Sequence, residues 1–231
     1  MEDDPDRYVM LITSLPTPES LFRSRQTPLS RIRLENRLAV LRPEDAADLE
    51  RVVDTLNWDR LALDMAEADI LARAERTLRD LGDETLKTIV RERLAIRTAV
   101  AALRRRHAGE GPPAAGEPFG VGSIGDRIRA RWSDPAFGLE RPMPWLLEAD
   151  RLLSEGDAIG LERLLLDVAW RRLKRREGEH LFDFVAVVVY VLKWHIVDRW
   201  TRYEEGAARR RFDEMVAAAL AAHGPVAIEG A

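Results

Sequence analysis

The stretch Asp183-Phe184-Val185-Ala186-Val187-Val188-Val189-Tyr190-Val191-Leu192-Lys193 decides the fold class of this chain. Its β-branched valines favour a strand locally. Two features outweigh that preference. About twenty residues, from Asp183 to Tyr203, pass without Gly or Pro, longer than a normal strand. Phe184, Val188, Val191, Leu192 and His195 also keep helical spacing. The stretch therefore reads as a long helix, capped by Asp183 and running through Tyr203. Its apolar run, Phe184 to Leu192, is far shorter than the ~20 residues a membrane span needs. No direct membrane insertion is expected.

Working outward from this helix, the same kind of punctuation recurs. Towards the C-terminus, Phe212, Met215, Val216, Ala219 and Leu220 form a clean stripe on a separate last helix, ended by Gly224-Pro225. Residues 224–231 read as a flexible tail. Towards the N-terminus, Asp157 caps a helix carrying Leu161, Leu164, Leu165, Val168 and Leu173, which Gly178 ends. Pro144 starts a shorter helix that halts at Gly156, and another short helix covers about residues 126–132. Further back, Asp83 caps a helix from Glu84 to His107. Helices over about 61–81, 43–56 and, weakly, 31–41 precede it, with a loop over 16–30. The apolar run Tyr8–Leu15 is too short for periodicity to separate a strand from a helix, so a short N-terminal extended segment stays open.

The composition shifts once. Residues 109–125 are rich in Gly and Pro, and read as a flexible linker between two helical halves, 1–108 and 126–223. The expected fold is all-α, an elongated multi-helix bundle of two packed halves. Its expected core includes Leu94, Val100, Leu165, Val168, Trp170, Val188, Leu192, Phe212 and Val216.

Composition agrees with long amphipathic helices. The 231 residues are 46% hydrophobic and 33% charged, against ~25% charged in an average domain. Thirty-six Lys plus Arg against forty Asp plus Glu leave a net charge of −4. That balance gives little global attraction for nucleic acid. The absence of cysteine excludes disulfides, thiolate metal sites and cysteine nucleophiles. The acidic opening Glu2-Asp3-Asp4 is unlike a secretory signal, and a cytoplasmic location is expected.

Motifs for chemistry are formal rather than structural. Gly120-Val121-Gly122-Ser123-Ile124-Gly125 matches G-x-G-x-x-G, but the Pro-rich run before it cannot supply the strand a dinucleotide turn needs. Gly120→Ala and Gly122→Ala are accordingly expected to leave stability almost unchanged. Glu177-Gly178-Glu179-His180 matches one E-x-x-H pair of a di-iron bundle, with no second copy. His195 reads as a core or interface histidine. No cofactor, metal site or catalytic residue is expected, and the chain is not expected to be an enzyme. Basic and aromatic residues are the better candidates for contacts: Arg104, Arg105, Arg106, Trp145, Trp194, Arg199 and Trp200. The helix Glu84–Arg106 carries seven basic residues and two acids, a local +5 suited to an acidic partner.

Several segments bear on family. They are Trp132-Ser133-Asp134-Pro135-Ala136-Phe137-Gly138-Leu139-Glu140, Pro144-Trp145, Leu161-Glu162-Arg163 with Trp170, and His180-Leu181-Phe182-Asp183-Phe184. With Tyr190-Val191-Leu192-Lys193-Trp194-His195-Ile196-Val197-Asp198-Arg199-Trp200, they form an ordered set of tryptophans and prolines. This set resembles a bacterial family of uncharacterised proteins associated with V-type ATPases and similar to the C-type subunit of V-type ATP synthase. The opening Tyr8–Pro16 and the run Leu103–Arg106 resemble that family as well. The resemblance implies a non-catalytic subunit or accessory protein coupling the central stalk to the membrane ring. The partners would be rotary ATPase stalk and ring subunits, and any membrane association would be peripheral, through the complex. The C-type subunit itself is usually longer, with three similar helical modules, and this chain has no internal repeat. A helical scaffold or assembly factor unrelated to rotation is the alternative.

Overall fold

A computed structural model describes residues 6–17, 20–24, 26–56 and 67–223. Among them are nine helices and no strand. They are α1 (Asp6–Ser14), α2 (Arg31–Leu38), α3 (Pro43–Leu56), α4 (Glu67–Asp80) and α5 (Glu84–His107). The second part of the chain adds α6 (Ile124–Ala130), α7 (Leu146–Ser154), α8 (Ala158–Glu179) and α9 (Phe184–His223). The protein is all-α, and the opening apolar run is helix, not an extended segment. The expected tail at 224–231 and the start of the helix expected over 61–81 lie outside the described residues.

Local chemistry sets most boundaries. Asp83, Asp157 and Asp183 each accept a hydrogen bond from a first-turn amide, Leu86 N at 2.9 Å, Gly160 N at 2.8 Å and Ala186 N at 2.8 Å. Each satisfies one of the donors that a helix start leaves orphaned. Gly156, at φ +68°, turns the chain between α7 and α8. Gly178 does not stop α8, which runs one residue past it. A single glycine costs a helix only ~1 kcal/mol, and flanking contacts outweigh it.

The valine run is helical because it is buried. Val187, Val188, Val189 and Val197 are inaccessible or nearly so, enclosed by α1, α3 and α8. α8 and α9 form an antiparallel hairpin, as the pairs Glu162–Arg199 and Glu177–Lys193 at its two ends require. Tertiary burial on all sides favours helix here over the local strand preference.

Packing does not follow the two expected halves. One core gathers α1 to α4, the first part of α5, the later part of α8 and the proximal part of α9. A second gathers the rest of α5, Phe119, the 136–143 turns, α7 and the start of α8. α5 and α8 run through both, so residues 1–108 and 126–223 share their cores. The 109–125 segment is not a free linker either. Glu117 accepts from Arg105 at 2.6 Å and from the Ala114 amide at 2.7 Å, and Phe119 is buried in the second core. Gly120 has φ +76°, and a Cβ there would meet Thr98 Cγ2 at 2.6 Å. A Cβ at Gly125 would meet the Phe119 carbonyl oxygen at 1.9 Å. Gly120 and Gly125 permit close packing, and Gly122 has φ +68°, so neither Gly120→Ala nor Gly122→Ala is expected to be neutral.

The expected core is corrected at its C-terminal end. Leu94, Val100, Leu165, Val188 and Leu192 are buried, and Val168 and Trp170 pack at its margins. Val216 is 41% exposed, and the Phe212 side chain lies outside the described part. The two helices expected over 183–203 and around 212–220 are one helix of forty residues, α9.

Candidate functional site

One face of each of three helices meets in a cleft. α5 contributes Ile89, Glu92, Arg93 and Ile96, spaced i, i+3, i+4, i+7. α9 contributes Leu192, His195, Ile196, Arg199 and Arg202 at the same rhythm. α8 faces them with Leu166, Ala169, Arg172, Leu173 and Arg176, and α3 closes one end with Val53 and Leu56. Every one of the three carries a mixed stripe, apolar residues interrupted by arginine. The interior volume is about 70 Å³.

Among the described residues, five arginines and one glutamate line the cleft. At one end Arg199 Nε donates to Glu162 Oε1, and Arg202 pairs with Asp198 at 2.8 Å. At the other, Arg172 donates to the Glu92 carbonyl at 3.2 Å. Arg176 spans Glu92 at 3.3 Å and Glu179 at 3.0 Å, and hydrogen bonding to Glu179 holds its pKa above the usual value. Arg93 lies between these ends with its Nη1 out of reach of solvent. Burial pushes its pKa down to about 10, repulsion from Arg199 and Arg172 adds to the shift, and Glu162 opposes it. Burial also lowers Arg172. Chemically, the arrangement is a network of guanidinium–carboxylate pairs between aliphatic walls, with Arg176–Glu92 tying α8 to α5 and Arg199–Glu162 tying α9 to α8.

The expected contact residues fall into different places. Arg104 is exposed. Arg105 instead holds the 109–125 segment, donating to the Gly111 carbonyl at 3.0 Å and to Glu117. Arg106 donates to the carbonyls of Asp134 at 2.9 Å and Pro135 at 2.8 Å, and lies 4.5 Å over the Phe137 ring. Phe137 itself has φ +54° and no exposure, so Arg106 supports a strained, buried turn. The Arg104-Arg105-Arg106 run is therefore one surface residue and two internal fasteners.

The tryptophans are internal too. Trp194 is buried and donates from Nε1 to the Leu29 carbonyl at 2.9 Å, tying the 16–30 loop to α9. Trp200 is buried edge-on to Phe22 at 5.1 Å and stacked on Tyr203 at 6.2 Å. Trp145 packs against the second core, partly buried. Arg199 alone among the expected contacts lines the cleft. These aromatics read as surface anchors only because sequence spacing cannot tell a helix buried all round from an amphipathic one.

Formal motifs dissolve in the same way. Coil precedes Gly120, not a strand. Glu177 is held by Lys193 at 2.8 Å, while His180 Nδ1 lies 2.6 Å from Asp183. Among the described residues no group of three His, Cys, Asp or Glu is placed to hold a metal ion. Lys193, 2% exposed, also sits 4.6 Å over Trp170. Sequence reading misses Arg93, the central residue of the cleft. Its signal is an arginine at i+4 from Ile89 and i−3 from Ile96, inside the apolar stripe of α5. Compared with known protein families, curated proteins and solved structures, the chain has no match.

Proposed function

We propose that this chain is a non-catalytic subunit or accessory protein of a bacterial V-type ATPase, working by docking between the central stalk and the membrane ring. The observation that carries the reading is the ordered Trp132-to-Trp200 pattern. Its residues hold the 132–143 turns, the α8–α9 hairpin and the 16–30 loop together, as a family signature of structural residues would. A coupling part must be a stiff helical body with surfaces left over for partners. α9 supports that reading: at 1.5 Å per residue its forty residues span about 60 Å. α9 continues twenty residues beyond Tyr203, to His223. Met215 and Val216 stand exposed on that extension, and Leu181 and Phe182 stand exposed at the α8–α9 turn. No described helix is long and apolar enough to cross a membrane, so in this reading the protein attaches through its partners, on the cytoplasmic side.

The test is affinity capture of the full chain at low salt from cells carrying the complete ATPase. Recovery of stalk or ring subunits is the expected result. Leu181→Ser with Phe182→Ser should reduce it, because exposed apolar groups dominate residence in an interface. Arg104→Glu should mainly slow association. Recovery of neither stalk nor ring would leave the chain as a helical scaffold or assembly factor unrelated to rotation.

A further inference from the structure

We propose that the outward face of α8 is a docking surface for an acidic amphipathic helix of another protein. This deepens the docking reading above by naming the partner's chemistry, and rests on it in taking the partner to be a protein. The face comes from an asymmetry within one helix. Every carboxylate of α8 is engaged by a cation: Glu162 by Arg199, Asp167 by Arg171 at 2.6 Å, Glu177 by Lys193 at 2.8 Å and Glu179 by Arg176 at 3.0 Å. The exposed charged residues from Ile159 to Gly178 are Arg163, Arg171, Lys174 and Arg175, all basic. Of these, only Arg171 has a carboxylate partner among the described residues. Arg163 rests 4.6 Å over the Phe22 ring, which positions its guanidinium without neutralising it. Arg175 repels Arg172, one turn back on the same helix.

The spacing makes these residues a row. Arg163, Asp167, Arg171, Lys174 and Gly178 recur at i, i+4, i+8, i+11 and i+15, so they share one face, with Arg175 beside them. From Arg163 to Lys174 the row runs about 17 Å along the helix. A Cβ at Gly178 would meet nothing within 4 Å, so that end of the face is open. Leu164 and Trp170, both half-buried, border the row on either side. Cations at successive turns match carboxylates at the same rise on a second helix laid alongside, whose apolar flank would cover Leu164 or Trp170.

An anionic lipid surface fits the same charges less well. It would also meet Glu179 and Asp183, 57% and 48% exposed at the C-terminal end of the face. A narrow helix can meet the row and leave those two carboxylates in water.

The experiment is fluorescence anisotropy on the full chain at low salt. The probe is a peptide of about twenty residues, long enough to be helical alone, with glutamates on one face at the spacing of the row, leucines beside them and a neutral dye. An isomer with the glutamates spread around the helix is the control. Saturable binding of the one-face peptide is expected, at least about fivefold tighter than its isomer and weakening as salt rises. Lys174→Glu with Arg175→Glu should weaken it about tenfold or more, and Lys174→Gln with Arg175→Gln by an intermediate factor. Arg76→Glu with Arg79→Glu makes the same change of net charge on exposed positions of α4, and should leave binding within about twofold of wild type. Equal binding of the two peptides, or an equal loss in the α4 variant, would reduce the effect to net charge and overturn the proposal. Absence of saturable binding would overturn it as well. Binding to phosphatidylglycerol vesicles in place of the peptide, lost in Lys174→Glu with Arg175→Glu, would reassign the face to a lipid surface. None of these outcomes involves an ATPase subunit, so a failure here leaves the rotary reading to its own capture experiment.

Discussion

The two ends of α9 are one helix made by two different kinds of physics. From Phe184 to Trp200 the sequence is rich in valine, a poor helix former, and nearly every residue is buried. From Glu204 to His223 it is rich in alanine, glutamate and arginine, good helix formers, and Met215 and Val216 are exposed. The proximal half is helical because neighbours enclose it. The composition of the distal half favours helix on intrinsic propensity, with Gly206 its weakest point. Tertiary contact is indispensable to the first. Function divides the same way in the proposed reading: the proximal half forms a wall of the cleft, and the distal half reaches towards a partner.

The largest break in that comparison should come from Trp200→Ala. It removes a buried side chain packed on Phe22 and Tyr203, and should cost about 3–5 kcal/mol in chemical denaturation. Loss of under ~1 kcal/mol would mean that the proximal half also stands on propensity.

Next comes an alkaline limb. Burial raises Tyr190 to about 12, and its hydroxyl donates to the Pro16 carbonyl at 3.0 Å. Burial first, then Asp45, raises Tyr8 to about 12 as well. In both cases the folded state keeps a proton that the unfolded chain releases near pH 10. The stabilisation is complete below about pH 10 and is lost as pH rises towards about 12. Tyr190→Phe should cost about 1 kcal/mol at about pH 7, the net worth of a hydrogen bond. The gap between it and wild type should shrink above about pH 10 in urea titrations. A gap that stays constant up to about pH 12 would rule out the Tyr190 contribution.

Gly206→Ala tests the distal half directly. A helix standing on propensity should gain up to about 1 kcal/mol, seen as higher helicity by circular dichroism on heating. A loss would show that the glycine serves a contact or a bend. Lys193→Met should change stability by less than about 1.5 kcal/mol. The apolar stem keeps its place against Trp170, and the Glu177 left behind is 43% exposed and can be hydrated. Smallest of all, Met215→Ala should stay within about 0.5 kcal/mol, as exposed positions do.

How far the sequence can be read follows from this division. The helix starts at Asp83, Asp157 and Asp183 are legible because capping is local chemistry between residues three apart. The join at Gly206 escapes notice because a glycine and three arginines resemble a break when no packing is in view. Trp194, Trp200 and Arg106 pass for surface anchors, since an indole or a guanidinium reads alike whether its partner is solvent or a carbonyl 165 residues away, as for Trp194 and Leu29. Arg199 stands out in the sequence, but the cleft it lines does not, because its walls come from three helices and no single segment contains its pattern.

By itself, then, the sequence determined the class of the fold: period, caps and the lack of strand punctuation act over a few residues and demand helix almost throughout. Tertiary structure alone decided that 109–125 is pinned rather than free, that two cores share α5 and α8, and that five arginines converge. Each of those depends on which distant side chains exclude water from one another. Burial is a property of the assembled chain, and no stretch of it carries burial alone.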